Sequence, residues 1–342
     1  MKNPGNAENA ENAENTGNAE NAGNAGRAGP ETRELASVPG TAGLYARALL
    51  PRSGGGRTGP LPDRRLVLRD VAADPGRLRR YAGVCGFADA SRLPVTYPHV
   101  VAFPPAMWLM TRRDFPLPLL GLVHVANRIE RHRPLEAGER LTYRVWAERL
   151  RPHPRGTAFD VAAEADDGAR TVWRSVSTYL CRGRGGAGSG PRAQDAPGGG
   201  TGGGPGGNGL PDGPGGPGGP VLDERWEVPG SAGRAYAAVS GDRNPIHLHP
   251  LAARPLGFPR AIAHGMWTKA RCLAALEEHL PDAYRVEVSF RAPVLLPATV
   301  RFRATGPAAS AGRTGALWDF RLCGDGDGGR EHLRGEVSAP AG

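Results

Sequence analysis

A chain of 342 residues has room for two domains of ordinary size, and its formal charge of +9 comes almost entirely from arginine. The arginines are scattered among acids, as in 128–133 and 140–151, with no Lys/Arg block and no repeat of stacking aromatics. That pattern argues against nucleic acid and leaves an anionic small ligand, such as a nucleotide-bearing thioester, as a suitable partner. The four cysteines, Cys85, Cys181, Cys272 and Cys323, form no CxxC pair, so reduced thiols are expected in place of a disulfide framework or a zinc site. No basic-then-apolar leader opens the chain and no apolar run approaches the ~20 residues of a membrane helix, so a soluble cytoplasmic protein without membrane contact is expected.

Residues 1–39 begin with Asn-Ala-Glu and Asn-Ala-Gly repeats that have almost no large apolar side chain. They are expected to be a disordered tail, because they cannot bury enough surface to offset the entropy of ordering. A first folded region spans 40–182. It opens with a strand candidate, Leu61–Leu68, and a helix over Asp74–Val84, with Asp74 as N-cap, Pro75 next and Gly86 beyond the end. A Pro-rich passage, Leu93–Pro105, leads to a second helix around Ala106–Arg113. Four strands are predicted at Leu122–Arg131, Arg140–Leu150, Thr157–Ala165 and Thr171–Leu180, several of them alternating, as in Thr142-Tyr143-Arg144-Val145-Trp146.

Residues 183–220 are dominated by Gly and Pro and read as a flexible linker. The region 221–342 then repeats the plan. A strand over Asp223–Val228 and a helix over Gly230–Val239 precede Ser240-Gly241-Asp242-Arg243-Asn244-Pro245-Ile246-His247, which is followed by His264-Gly265-Met266 and an apolar helix from about Gly265. Strands are predicted at Arg285–Arg291, Thr299–Ala304, Gly315–Cys323 and Glu331–Ser338. Turn residues at this density forbid a continuous helix through 240–247, so Asp242 and His247 come from a bent loop and can meet on one water molecule.

The two regions align by eye. Tyr81-Ala82-Gly83-Val84-Cys85-Gly86 matches Tyr236-Ala237-Ala238-Val239-Ser240-Gly241, and Ala106-Met107-Trp108 matches Gly265-Met266-Trp267. One helix followed by four strands, twice over, gives an α+β class with a sheet wrapped around a helix in each copy. The first copy has Phe87 where the second has Asp242, Arg92 for His247 and Pro105 for His264, across a loop four residues shorter. The acid and the imidazole are therefore dispensable for the scaffold, which favours chemistry over turn formation.

The run Tyr236 to His247, with Gly257-Phe258 and Ile262-Ala263-His264-Gly265-Met266, closely resembles the MaoC-like dehydratases, or (R)-specific enoyl-CoA hydratases (hydratase 2). The likeness is specific to 225–300. The first region resembles the degenerate, non-catalytic hot-dog of double hot-dog members. The resemblance implies reversible hydration of a trans-2-enoyl thioester, on CoA or a carrier protein, to an (R)-3-hydroxyacyl thioester, a step in fatty acid metabolism. It also implies Asp242 and His247 as the catalytic pair, Ser240 and Asn244 as loop-orienting residues, and the Gly265 N–H as oxyanion donor. His264 is either a hydrogen bonder behind the pair or a helix-start residue. No cofactor or metal is called for. Pro293-Val294-Leu295-Leu296-Pro297-Ala298 lacks the Gly-Asp turn that many relatives place there, whereas Ala137-Gly138-Glu139 in the first copy keeps a similar one. A hot-dog acyl-thioesterase and a non-catalytic acyl-thioester-binding subunit of a lipid or polyketide pathway stand as alternatives. A metal at His247, His249 and His264 is disfavoured, since His-x-His spacing alone is a weak signal. Arg260, Lys269 and Arg271 could meet coenzyme A phosphates, although surface charges are their ordinary reading. The two copies are expected to pair within the chain, and a further homodimer stays open. Acyl length, carrier and direction are not encoded in these patterns.

Overall fold

The computed structural model describes residues 30–49, 59–119, 121–183, 221–306, 316–326 and 328–340. The first half runs β1 (Glu31–Glu34), α1 (Thr41–Leu49), β2 (Arg64–Ala72), α2 (Pro75–Cys85), α3 (Tyr97–Met110), β3 (Leu122–Arg131), β4 (Arg140–His153), β5 (Gly156–Asp166) and β6 (Thr171–Arg182). The second half runs β7 (Val221–Val228), α4 (Ala232–Ser240), α5 (Pro245–Leu248), α6 (Pro250–Ala253), α7 (Gly265–Ala275), β8 (Tyr284–Phe290), β9 (Ala298–Thr305), β10 (Ala316–Gly324) and β11 (Glu331–Ser338). The repeats of 1–29 and the Gly/Pro stretch 184–220 lie outside the described residues.

The strands form one sheet in the order β1-β2-β4-β5-β6-β3-β8-β11-β10-β9-β7. All the pairings are antiparallel except β1 with β2. The halves join where β3 pairs with β8, with Ile129 opposite Val286. Alternation sets the faces: on β4, Leu141, Tyr143 and Val145 are buried, while Trp146 points outward under the Arg65 guanidinium. α3 and α7 are the central helices of the two halves. This is a double hot-dog.

Local signals fix the short helices. The Asp74 carboxylate accepts from the Arg77 N–H at 2.6 Å to start α2, and left-handed Gly86 and Gly241 stop α2 and α4. The first half also buttresses the second. Arg77 donates to the Val239 and Ser240 carbonyls at 2.7 and 3.1 Å, satisfying acceptors that the end of α4 leaves open. The Trp267 indole donates to the Val84 carbonyl at 3.0 Å.

Three expectations need correction. Residues 31–34, assigned to a disordered tail, form β1, and 41–49 form α1, an element the hydrophobic pattern did not announce. The first central helix begins at Tyr97 and not near Ala106. Pro98 suits its first turn, and burial on nearly every side outweighs the amide hydrogen bonds that Pro104 and Pro105 remove. As a result Ala106 lies in the last turns of α3 and is not the counterpart of Gly265, nor is Pro105 that of His264. The loop comparison changes with it: Asp242 to Gly265 contains α5, α6 and a 3₁₀ turn (Arg254–Leu256), for which the passage from Phe87 to Tyr97 has no helical equivalent.

Candidate active site

Asp242 follows the glycine that ends α4, and its backbone N–H donates to the Ser240 hydroxyl at 3.1 Å. Asn244 caps α5 by accepting from the Ile246 N–H at 3.4 Å and itself donates from the backbone to Asp242 Oδ1 at 3.2 Å. These contacts bend the loop so that His247, on α5, comes back toward Asp242. The His247 Nδ1 lies 2.8 Å from the Ile262 carbonyl, which can only accept, so Nδ1 carries the proton and Nε2 is left as a lone pair. The same argument applies to His264 at the start of α7: its Nε2 donates to the Asp242 carbonyl at 2.9 Å, and its buried Nδ1 has no partner among the described residues. His264 is thus both the residue before the helix and the hydrogen bonder behind the pair. The two imidazoles stack with centroids 3.6 Å apart.

The ligand atoms of Asp242, His247 and His264 lie within 4.8 Å of one another, close enough for one water or one ion to touch all three. His249 does not join them. It is exposed, and its ring caps α6 by accepting from the Leu251 N–H. Asp242 keeps 27% of its side-chain surface, against 2% for His264. Burial raises the carboxyl, but the His264 and His247 rings, the Tyr45 hydroxyl and the Asn244 N–H outweigh it and hold Asp242 below 3.8, ionised. Burial also pushes His247 below the ordinary imidazole value of 6.5, against the pull of Asp242, and pushes His264 down to about 3. Around neutrality the site presents a carboxylate beside a neutral imidazole.

Tyr45 was not anticipated. Its hydroxyl, on α1, donates to Asp242 Oδ1 at 2.6 Å across 197 residues of sequence. Thr41, one turn earlier, packs beside Gly241. Burial and the adjacent carboxylate push the Tyr45 hydroxyl far above its ordinary range, so it stays a donor. No motif around 41–49 signals this role.

Gly265 is the first residue of α7, where amide groups have no acceptor within the helix and the dipole favours negative charge. A side chain there would meet the Phe290 ring at 3.1–3.2 Å, so only glycine lets the ring lie against the helix start. Of the three candidates for coenzyme A phosphates, Lys269 is fully buried and Arg271 lies over the Trp226 ring at 4.4 Å. Arg271 is half-buried there, and Arg260 is exposed.

Residues 223–314 match the family model described as MaoC like domain. The 3-hydroxyacyl-thioester dehydratase X of Mycobacterium tuberculosis is 38% identical over 252 residues, which cover 71% of this chain and 80% of that protein. The chain belongs to the MaoC-like dehydratase family. The family is one of lyase-type enzymes. The 3-hydroxybutyryl-CoA dehydratase of Methylorubrum extorquens is 40% identical over 72 residues, or 20% of this chain and 46% of that one. Among solved structures, HtdX of M. tuberculosis superposes with a TM-score of 0.63 at 33% identity, covering 81% of this chain and all of that one. A MaoC-like dehydratase from Phytophthora capsici shares the fold, with a TM-score of 0.60 at 19% identity over 80% of this chain and 94% of that one.

Proposed function

We propose that this MaoC-like dehydratase interconverts a trans-2-enoyl thioester and an (R)-3-hydroxyacyl thioester. The observation that carries the reading is the convergence of the Asp242 carboxylate and the free Nε2 of a neutral His247 on one space beside the start of α7. In hydration, His247 Nε2 takes one proton from water while the water oxygen bonds to C3. Asp242 accepts a hydrogen bond from the other water hydrogen and so aims the nucleophile. Electron density moves onto the thioester oxygen, where the Gly265 N–H and the helix dipole stabilise it. The protonated ring then returns its proton to C2. Dehydration is the reverse. Ser240 and Asn244 hold the loop, and His264 fixes its backbone.

In this reading the two halves form the working pair, the first supplying the wall of the acyl path. The thioester is carried by CoA or by a carrier protein. Any further dimer would add to a pair already made within the chain.

The test is loss of enoyl-thioester absorbance with crotonyl-CoA, a longer enoyl-CoA and their carrier-protein counterparts, with the chirality of the product determined. Asp242→Asn and His247→Ala are each expected to lower kcat by at least about a hundredfold. Release of free thiol would assign a thioesterase, and no turnover of any thioester would assign a binding subunit.

A further inference from the structure

The segment that carries the catalytic pair also carries a surface that the pair does not use. Between Glu227 and Glu277 the chain has a single acid, Asp242. Over the same stretch Arg234, Arg243, Arg254 and Arg260 are exposed, and none of them forms an ion pair with a described residue. Arg234 donates to the Leu248 carbonyl at 3.2 Å and Arg260 to the Pro297 carbonyl at 3.4 Å, contacts that leave their charge uncompensated. Exposed arginines on the sheet are treated differently: Arg69 reaches Glu34 at 2.9 Å, Arg225 reaches Asp325 at 2.7 Å and Arg334 reaches Glu331 at 2.8 Å. Even Arg92, in the corresponding passage of the first half, meets Glu136 at 3.3 Å.

Bare leucines stand among these charges. Of the four large apolar side chains that are exposed among the described residues, two are Leu251 on α6 and Leu256 in the 3₁₀ turn after it, and Leu251 is the most open at 64%. Leu251 and Arg254 are three residues apart, so they lie on one side of the turn, while Ala253 between them is fully buried and seats it. The His249 ring caps α6, and the Phe258 N–H donates back to the Ala253 carbonyl at 3.1 Å. The leucines and arginines are therefore presented from a closed frame. The first half has no helical equivalent of α6, so the scaffold does not require this surface. Leu251 also comes four residues after His247, a chain span of at most about 14 Å.

We propose that this surface docks an acidic, amphipathic helix of the carrier protein that delivers the acyl thioester. Carboxylates on such a helix match the uncompensated arginines, and its apolar side chains cover Leu251 and Leu256. Coenzyme A fits less well, because phosphate offers the leucines no apolar partner. A second copy of the chain, meeting patch to patch, would set arginine against arginine. A membrane surface is disfavoured by size, since α6 is a single turn and cannot lie in a bilayer as an amphipathic helix does. The proposal rests on the hydratase reading and names its partner.

The test places the same crotonyl group on coenzyme A and on the phosphopantetheine arm of a stand-alone bacterial acyl carrier protein. Wild-type enzyme is expected to show a KM about tenfold lower for the carrier-borne thioester, an advantage that shrinks between ~0.05 and ~0.5 M salt as exposed charges are screened. The double variant Leu251→Ser, Arg254→Glu changes two exposed side chains. It is expected to abolish the advantage, with kcat and the KM for crotonyl-CoA within about threefold of wild type. A wild-type KM for the carrier-borne thioester no lower than for crotonyl-CoA would overturn the proposal. So would equal losses on both substrates, which would make the patch a coenzyme A site, or a carrier preference that the double variant retains. Binding to phosphatidylglycerol vesicles that the carrier protein does not displace would reassign the patch to a membrane. Calorimetry with the butyryl carrier protein and butyryl-CoA, which have no double bond to hydrate, reads docking without turnover. A protein that hydrates neither thioester yet binds the carrier through Leu251 and Arg254 would lose the hydratase reading and keep the docking surface.

Discussion

Gly265→Ala separates catalysis from folding at the start of α7. The new methyl would lie 3.1–3.2 Å from three carbons of the Phe290 ring, against an ordinary carbon–carbon approach of about 3.5–4.0 Å. The ring also packs against His124, with centroids 4.9 Å apart, which limits its retreat. Crowding of this kind costs about 1–3 kcal/mol. The backbone is in an ordinary helical conformation, so alanine recovers about 0.5–1 kcal/mol of helix stability. The net change is about 0–2 kcal/mol, or a few degrees in Tm for a chain of this size. Displacing the thioester oxygen from the Gly265 N–H forfeits about 3 kcal/mol of transition-state stabilisation, roughly a hundredfold in kcat. Paired thermal melts and crotonyl-CoA hydration assays measure both effects. A folded variant with kcat within threefold of wild type would refute the assignment of Gly265 as oxyanion donor.

Tyr45→Phe removes the 2.6 Å hydrogen bond to Asp242 and is expected to lower kcat/KM about tenfold, with the acid side of the pH profile moved upward because the carboxylate loses a donor. A profile that superposes on wild type at every pH would show that the hydroxyl does not hold the carboxylate. Asn127→Ala strips Lys269 Nζ, Ser175 and Ser177 of a buried partner and is expected to cost about 3 kcal/mol in chemical denaturation. Lys269→Met, which removes the buried amine itself, should cost less, and the reverse order would contradict that account. His99, His124 and His264 are pushed down to about 4, 3 and 3, and His247 also lies below 6.5. The unfolded chain therefore binds more protons in acid, so the stability these rings contribute is complete above pH 6.5 and is lost as pH falls from there toward 4. At pH 5 the loss is about 2 kcal/mol for each ring near 4 or lower, and a Tm unchanged between pH 7.5 and 5 would contradict it.

Much of the scaffold was legible because strands declare themselves locally. The alternation that predicts Leu122–Arg131 and Thr171–Leu180 is the alternation that places those residues on two faces of the sheet. α3 escaped for the opposite reason. A helix buried on nearly every side has no polar stripe, and its two internal prolines imitate a break. Asp242, His247, Ser240 and Asn244 could be read because the loop that joins them spans eight residues. Tyr45 could not, because its contact with Asp242 depends on tertiary packing alone. Lys269 misled in the same way: a lone lysine reads as surface, and only the β3–β8 seam shows that the carbonyls of Asn127 and Val286 surround it. His124 and Tyr179, 55 positions apart, become neighbours through strand register, which periodicity does not determine.

The sheet that unites the halves has two outer borders, and both carry alternating charge. One is Glu31-Thr32-Arg33-Glu34, and the other includes Asp223, Arg225 and Glu227 on its solvent face. A bare strand border invites another strand to add on, and charged side chains along it discourage that addition. Duplication has placed the most adhesive junction, β3 with β8, inside a single polypeptide. Charge along both described borders thus disfavours lateral growth of the sheet.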